Sequence, residues 1–178
     1  MTFSALILGT LTSIGMFTSN QFPVTNEYFV LHGMVFEVSL KTGDEHIAAG
    51  SQVIIYQEDE IYVAFKTDTY GEYLFNLPIG HAYEVVFGGE EYVNKRVMID
   101  AKQCTKPRNG HDLQLNMGLF KPVKGADLTV FESPVARFEY QIEKHDILPD
   151  MSFISKGQKE INKAIKKMSK IDLSSSSD

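Results

Sequence analysis

The sequence predicts an all-β fold: an antiparallel Greek-key β-sandwich of about seven strands, followed by a C-terminal extension and a short helix. Three observations predict it. Turn residues Asp68, Gly71, Pro78 and Gly80 punctuate short alternating runs between Thr67 and Val85, as consecutive strands require. No amphipathic segment of helical length separates the strand-like runs between Tyr28 and Met117, which removes a parallel α/β sheet. A chain of 178 residues accommodates one domain with one principal core.

From Phe3 to Phe17 the chain is apolar and uncharged. That run is short of the ~20 residues a membrane-spanning helix needs, so residues 1–20 read as a secretory signal peptide, with small residues Ser13 and Gly15 offering one cleavage site and a cut nearer Asn20 equally defensible. A buried N-terminal strand or helix is the alternative. The sandwich is expected over residues 28–120. Tyr28 to Val38 is rich in β-branched, aromatic and aliphatic residues and forms the first strand, broken by the polar turn Lys41-Thr42-Gly43-Asp44-Glu45. Gln52 to Tyr56 and Ile61 to Phe65 make a hairpin through the acidic connection Gln57-Glu58-Asp59-Glu60, with residues 61, 63 and 65 expected inward.

Glu72 to Asn76 and Ala82 to Phe87 follow as the fourth and fifth strands, with Tyr73, Phe75 and Leu77 on one face. Tyr92 to Ile99 supplies the sixth strand. Leu113 to Met117 supplies the seventh, with 113, 115 and 117 inward, after a loop from Lys102 to Gly110. Residues 121–155 form an extension that packs on the sandwich through Val135, Phe138 and Tyr140. Residues 156–171 form a short basic helix whose apolar stripe is Ile161, Ala164, Ile165 and Met168, opposite Lys159, Lys163, Lys166 and Lys167. That helix either docks on the sandwich or meets an anionic surface, and its thin stripe favours docking. Residues 172–178, ending in Ser174-Ser175-Ser176-Ser177-Asp178, are expected to be disordered.

Charge excludes one large class of partner. Residues 1–155 carry 11 Lys and Arg against 20 Asp and Glu, whereas residues 156–178 carry 6 against 3. An acidic body with a weakly basic tail lacks the concentrated positive surface that phosphates require, so no nucleic acid is expected. The single cysteine, Cys104, can form no intrachain disulfide and reads as an inert, partly buried thiol.

The pattern Thr67-Asp68, Gly71, Tyr73, Phe75, Leu77-Pro78, Gly80, Tyr83 resembles carboxypeptidase regulatory-like domains, the transthyretin-like β-sandwich modules of metallocarboxypeptidases and bacterial envelope proteins. Leu31-His32-Gly33-Met34-Val35, Thr42-Gly43 and Ile47 to Tyr56 are similar to the family's first strand, Thr-Gly turn and following strand. Ser39, His46 and Ser51 depart from its usual Asp, Pro and Ala. The segment Met117 to Tyr140 is similar to an extension of such modules in cell-envelope proteins of Bacteroidota. The resemblance spans roughly residues 30–100 and implies a non-catalytic module in the periplasm or at the cell surface, with another envelope protein as partner and no transmembrane segment in the mature chain.

Reactive constellations are not written in the chain. His32, His46, His81, His111 and His145 show no metal-ligand spacing, and Asp68-Thr69-Tyr70-Gly71-Glu72 lacks the remaining oxygens of a calcium loop. No Gly-x-Ser-x-Gly elbow or phosphate-binding glycine loop is present, and adjacent Glu90 and Glu91 point to opposite faces of any strand. No catalytic residue, metal or cofactor is expected. Six tyrosines (Tyr56, Tyr62, Tyr70, Tyr73, Tyr83 and Tyr92) leave aromatic contact as the binding chemistry, with Tyr70 and Tyr92 near turns as the ligand-binding candidates. An accessory or protein-interaction role is thus expected, and a carbohydrate- or peptide-binding module using edge aromatics is the alternative.

Overall fold

The computed structural model describes residues 27–104 and 111–174. The leader expected over residues 1–20, residues 105–110 of the loop after Ile99, and residues 175–178 of the tail lie outside it. Eleven strands run in chain order among the described residues: β1 (Tyr28–Val38), β2 (Glu45–Ile47), β3 (Gln52–Gln57), β4 (Glu60–Lys66), β5 (Glu72–Pro78), β6 (Ala82–Gly88), β7 (Lys95–Asp100), β8 (His111–Gln114), β9 (Met117–Leu119), β10 (Ala136–Gln141) and β11 (Asp146–Pro149). One helix, α1 (Met151–Ser174), closes the order. The chain is predominantly β and folds into two sheets.

The first sheet is built around β1, which pairs with β2 and β5 on one side and with β8 and β9 on the other. The second runs β11-β10-β7-β6-β3-β4. Alternate residues of both turn inward. Phe29, Leu31 and Val35 of β1 meet Val53, Ile55, Val85, Phe87, Val97 and Ile99 in one buried cluster. Tyr73 and Leu77 of β5 are buried and Phe75 is half-buried, as their alternation predicts. Leu113, Leu115 and Met117 are all buried too.

Both sheets are mixed rather than antiparallel, which corrects the expectation. β8 and β9 run parallel to β1, and β10 runs parallel to β7. Alternation reports which face a side chain occupies but not the direction of the neighbouring strand. The single strand expected from Leu113 to Met117 is broken into β8 and β9 at Gly33. There the Leu115 carbonyl oxygen lies only 2.2 Å from where a Cβ of residue 33 would stand. The crossing is fixed by the Leu115 N–H donating to the His32 carbonyl and the Met34 N–H donating to Asn116 Oδ1.

A second correction concerns β4. Its ladder with β3 shifts register, from Ile55 opposite Val63 to Tyr56 opposite Ile61, so an extra residue, Tyr62, is accommodated. Val63 and Phe65 keep the inward face while Ile61 becomes 62% exposed. The extension also does more than pack. Ala136 to Gln141 pairs with the free edge of β7, and β11 returns beside it, which satisfies backbone groups an edge strand would leave open.

The helix is longer than predicted. Asp150 accepts hydrogen bonds from the backbone N–H groups of Ser152 and Phe153 and starts α1 five residues before the expected boundary. Its predicted stripe docks. Met168 is buried with Val93, Phe120 and Phe131, and Ile161, Ala164 and Ile165 pack against the same cluster. No helix among the described residues is long and apolar enough to cross a membrane.

Candidate functional site

Strand register defines two ends of the sandwich. At one end lie the finish of β4, the start of β5, the finish of β6 and the start of β7, so the loops carrying Tyr70 and Tyr92 are brought to the same end. The Tyr70 turn is fixed by Asp68, whose Oδ1 accepts from the N–H groups of Tyr70 and Glu72 at 2.9 and 2.7 Å. Gly71 completes it at φ +73°, with the Val35 carbonyl oxygen 2.5 Å from any Cβ placed there. Tyr70 itself is 65% exposed. Tyr92 is half-buried, and its hydroxyl donates to Glu37 Oε2 at 2.9 Å. Burial, then that hydrogen bond and the charges of Glu37 and Glu91, push its phenol up to about 12. Tyr92 therefore ties a loop to β1, while Tyr70 stands out from a rigid turn.

This end is also covered. Leu40 and Val93 from its loops join Phe120, the 3₁₀ turn Thr129–Phe131 and Met168 of α1 in the second buried cluster. Lys95, at the start of β7, donates to the Gly118 carbonyl and lies 5.1 Å from the Phe120 ring centroid. Burial lowers its ammonium to about 8.

The opposite end carries an aromatic cleft. A cleft of about 590 Å³ opens there between the two sheets. Tyr28 and Tyr62 form its aromatic walls, Pro78 and Ile79 its apolar part, and Asn76 and His81 its polar part, with Glu27 at the entry of β1. Tyr28 and Tyr62 are 45% and 47% exposed. Beneath them the core supplies an anchor. Tyr83, fully buried, takes the Tyr62, His81 and Phe29 rings edge-on at 6.2, 6.3 and 5.9 Å, and its hydroxyl donates to the Pro78 carbonyl at 2.7 Å. Burial, then the neighbouring Tyr62, raise its pKa above the ordinary tyrosine value.

The rim of this cleft is acidic and strained. Glu58 and Asp59 form the two-residue β3–β4 turn with φ of +51° and +66°, the left-handed pair a tight hairpin needs and one that Asn-Gly ordinarily supplies. His81 Nδ1 lies 3.0 Å from Gln57 Nε2 and 3.6 Å from Glu58 Oε1, which joins the turn to the start of β6. Among the tyrosines named from the sequence only Tyr62 belongs to this cleft. Tyr28, Glu27, Asn76 and His81 were missed, although Tyr28 was legible as an outward residue of β1, on the face opposite Phe29 and Leu31.

Other titratable side chains form pairs elsewhere. His32 Nε2 meets Asp112 Oδ1 at 2.7 Å on the outer face of the first sheet, and buried His111 meets Asp146 at 3.5 Å between β8 and β11. Cys104 is buried, and desolvation followed by the Asp146 charge pushes its thiol up to about 11, conditions that keep it protonated at neutral pH. Among the described residues, no three His, Cys, Asp or Glu side chains group as metal ligands would.

No family model matches the chain, and no curated protein matches it. Solved structures give partial likenesses. The chain is similar to the Bacillus anthracis TIE protein over 52% of its own length and 17% of that chain, at 21% identity and a TM-score of 0.37. It is similar to 3-chlorocatechol 1,2-dioxygenase from Rhodococcus opacus 1CP over 55% of its length and 61% of that chain, at 12% identity and a TM-score of 0.36. With catechol 1,2-dioxygenase from Acinetobacter sp. ADP1 the figures are 61% and 57%, at 9% identity and a TM-score of 0.37. The chain spans less than two thirds of the length of each of these proteins.

Proposed function

We propose that the chain is an exported, non-enzymatic β-sandwich module of the bacterial cell envelope, acting as an accessory or protein-interaction domain of the carboxypeptidase regulatory-like, Greek-key type. The resemblance over Thr67 to Tyr83 and the apolar, uncharged run from Phe3 to Phe17 support that assignment. The observation that carries the interaction role is the Tyr28–Tyr62 cleft. It presents two half-exposed rings on a rigid, core-anchored base, the kind of surface that contributes contact area at low conformational-entropy cost. The same cleft favours peptide or carbohydrate binding as the second reading, because aromatic faces beside an amide and a carboxylate serve either ligand.

Two measurements test the proposal together. Fractionation of cells expressing the full chain is expected to place it in the periplasm or at the cell surface, and a cytoplasmic pool would overturn export. Capture from envelope extract is expected to retain a discrete partner on the wild-type chain and to lose it on a Tyr28→Leu, Tyr62→Leu double variant of unchanged unfolding midpoint. Equal retention by both would remove the cleft from the interaction.

A further inference from the structure

We propose, resting on the interaction-module reading above, that the Tyr28–Tyr62 cleft recognises a cationic side chain, an arginine or lysine carried by a peptide segment of the protein partner. Ring faces carry negative quadrupole density and attract a guanidinium or ammonium placed over them. Tyr62 is held edge-on against Tyr83 at one wall, and Tyr28 forms the other with its register partner Pro78, so both rings stand on anchored elements. Charge around the cleft has the complementary sign. Glu27 belongs to the lining, and Glu58, beside it, pairs with His81, the one ionisable base among the described lining residues, at 3.6 Å. Asp59 and Glu60 continue the same turn, and no lysine or arginine is among the described residues that line the cleft.

Two non-glycine residues kept in the left-handed region cost stability that Asn-Gly would not, and such conformations cluster at ligand-contacting loops. The chain as a whole has a net charge of −6, which adds long-range attraction for a basic partner. A sugar would stack on the same rings, but it would gain no Coulombic attraction from this acidic rim.

The test titrates the full chain, isotope-labelled at tyrosine, with acetyl-Gly-Arg-Gly-Arg-Gly-amide and follows the ring resonances of Tyr28 and Tyr62. The matched peptide carrying citrulline, equal in shape but uncharged, and a hexamer of N-acetylglucosamine are titrated in parallel. The arginine peptide is expected to shift both rings with an affinity ~10-fold or more above the citrulline peptide, weakening as salt rises. Tyr62→Leu should weaken it roughly 5-fold or more. Glu58→Gln, at a side chain 72% exposed and with its urea midpoint matched to the wild type, should weaken it about 2- to 5-fold and flatten the salt dependence. Equal response to both peptides would overturn the cationic assignment and leave a peptide site. A response to the sugar alone would overturn it in favour of a glycan. Silence from all three probes, with partner capture still dependent on Tyr28 and Tyr62, would overturn the cationic inference and leave the interaction module standing.

Discussion

The two ends of the sandwich are built from the same kinds of residue and finished differently. At the Tyr92 end, loop side chains Leu40 and Val93 are roofed by Phe120, Phe131 and Met168, and a tyrosine hydroxyl is tied to Glu37. At the Tyr28 end nothing among the described residues plays the part of α1, and two rings stand half-exposed over a cleft. The C-terminal third of the chain thus covers one end of the core, and nothing among the described residues covers the other in the same way.

The sharpest way to break this contrast is to lift the roof. Met168→Ala removes a side chain that is 1% exposed at the centre of the second cluster, and such truncations cost roughly 2 to 5 kcal/mol. Urea unfolding of the full chain should show that loss, with the Tyr28 and Tyr62 ring resonances unchanged in the folded state. A loss below about 0.5 kcal/mol would mean that the helix does not seal that end, because surface substitutions fall in that range.

How much of this was legible can be judged residue by residue. β1, the β3–β4 hairpin and the face occupied by Tyr73 and Leu77 follow from period-two alternation and turn chemistry, both local properties. Gly71 was readable for the same reason, since a left-handed turn position is a local demand. Strand direction was not readable, because the parallel partners β8, β9 and β10 are distant in sequence and leave no mark on local pattern. The cleft was half-readable. Tyr62 stood in the list of tyrosines, but its turn toward Tyr83 depends on the register shift opposite Ile55, and its meeting with Tyr28 depends on how the two sheets stack. Tyr70 and Tyr92 both lie near turns, a criterion that registers loops but not whether a ring stands out, as Tyr70 does at 65% exposure, or is tied down, as Tyr92 is by Glu37.

A smaller effect separates Tyr92 from the two tyrosines of the cleft. Tyr92→Phe deletes the hydrogen bond to Glu37, worth about 1 kcal/mol at a half-buried site. The folded phenol is raised to about 12 from an unfolded value near 10, so the native state favours the neutral form. Its contribution is fully present below pH 10 and is lost as pH rises from about 10 through about 12. Urea midpoints measured across that window should fall less steeply in the variant than in the wild type, while binding at the open end stays unchanged. Parallel curves would show that Tyr92 does not hold its loop in the way described.

The smallest expected change has the opposite sign and lies at the open end. Replacing Glu58→Asn and Asp59→Gly gives the β3–β4 turn the residues its left-handed backbone prefers, and should stabilise the chain by about 1 kcal/mol. The same change removes two carboxylates from the rim of the cleft. Stability and binding should then move apart: a higher urea midpoint, with weaker retention of the arginine peptide at low salt. A turn kept only for folding would gain stability and lose nothing. An acidic turn kept for its ligand would show the trade, because the strain it carries has no use in the core beneath it, where Tyr83 and Phe29 already pack without help from either residue.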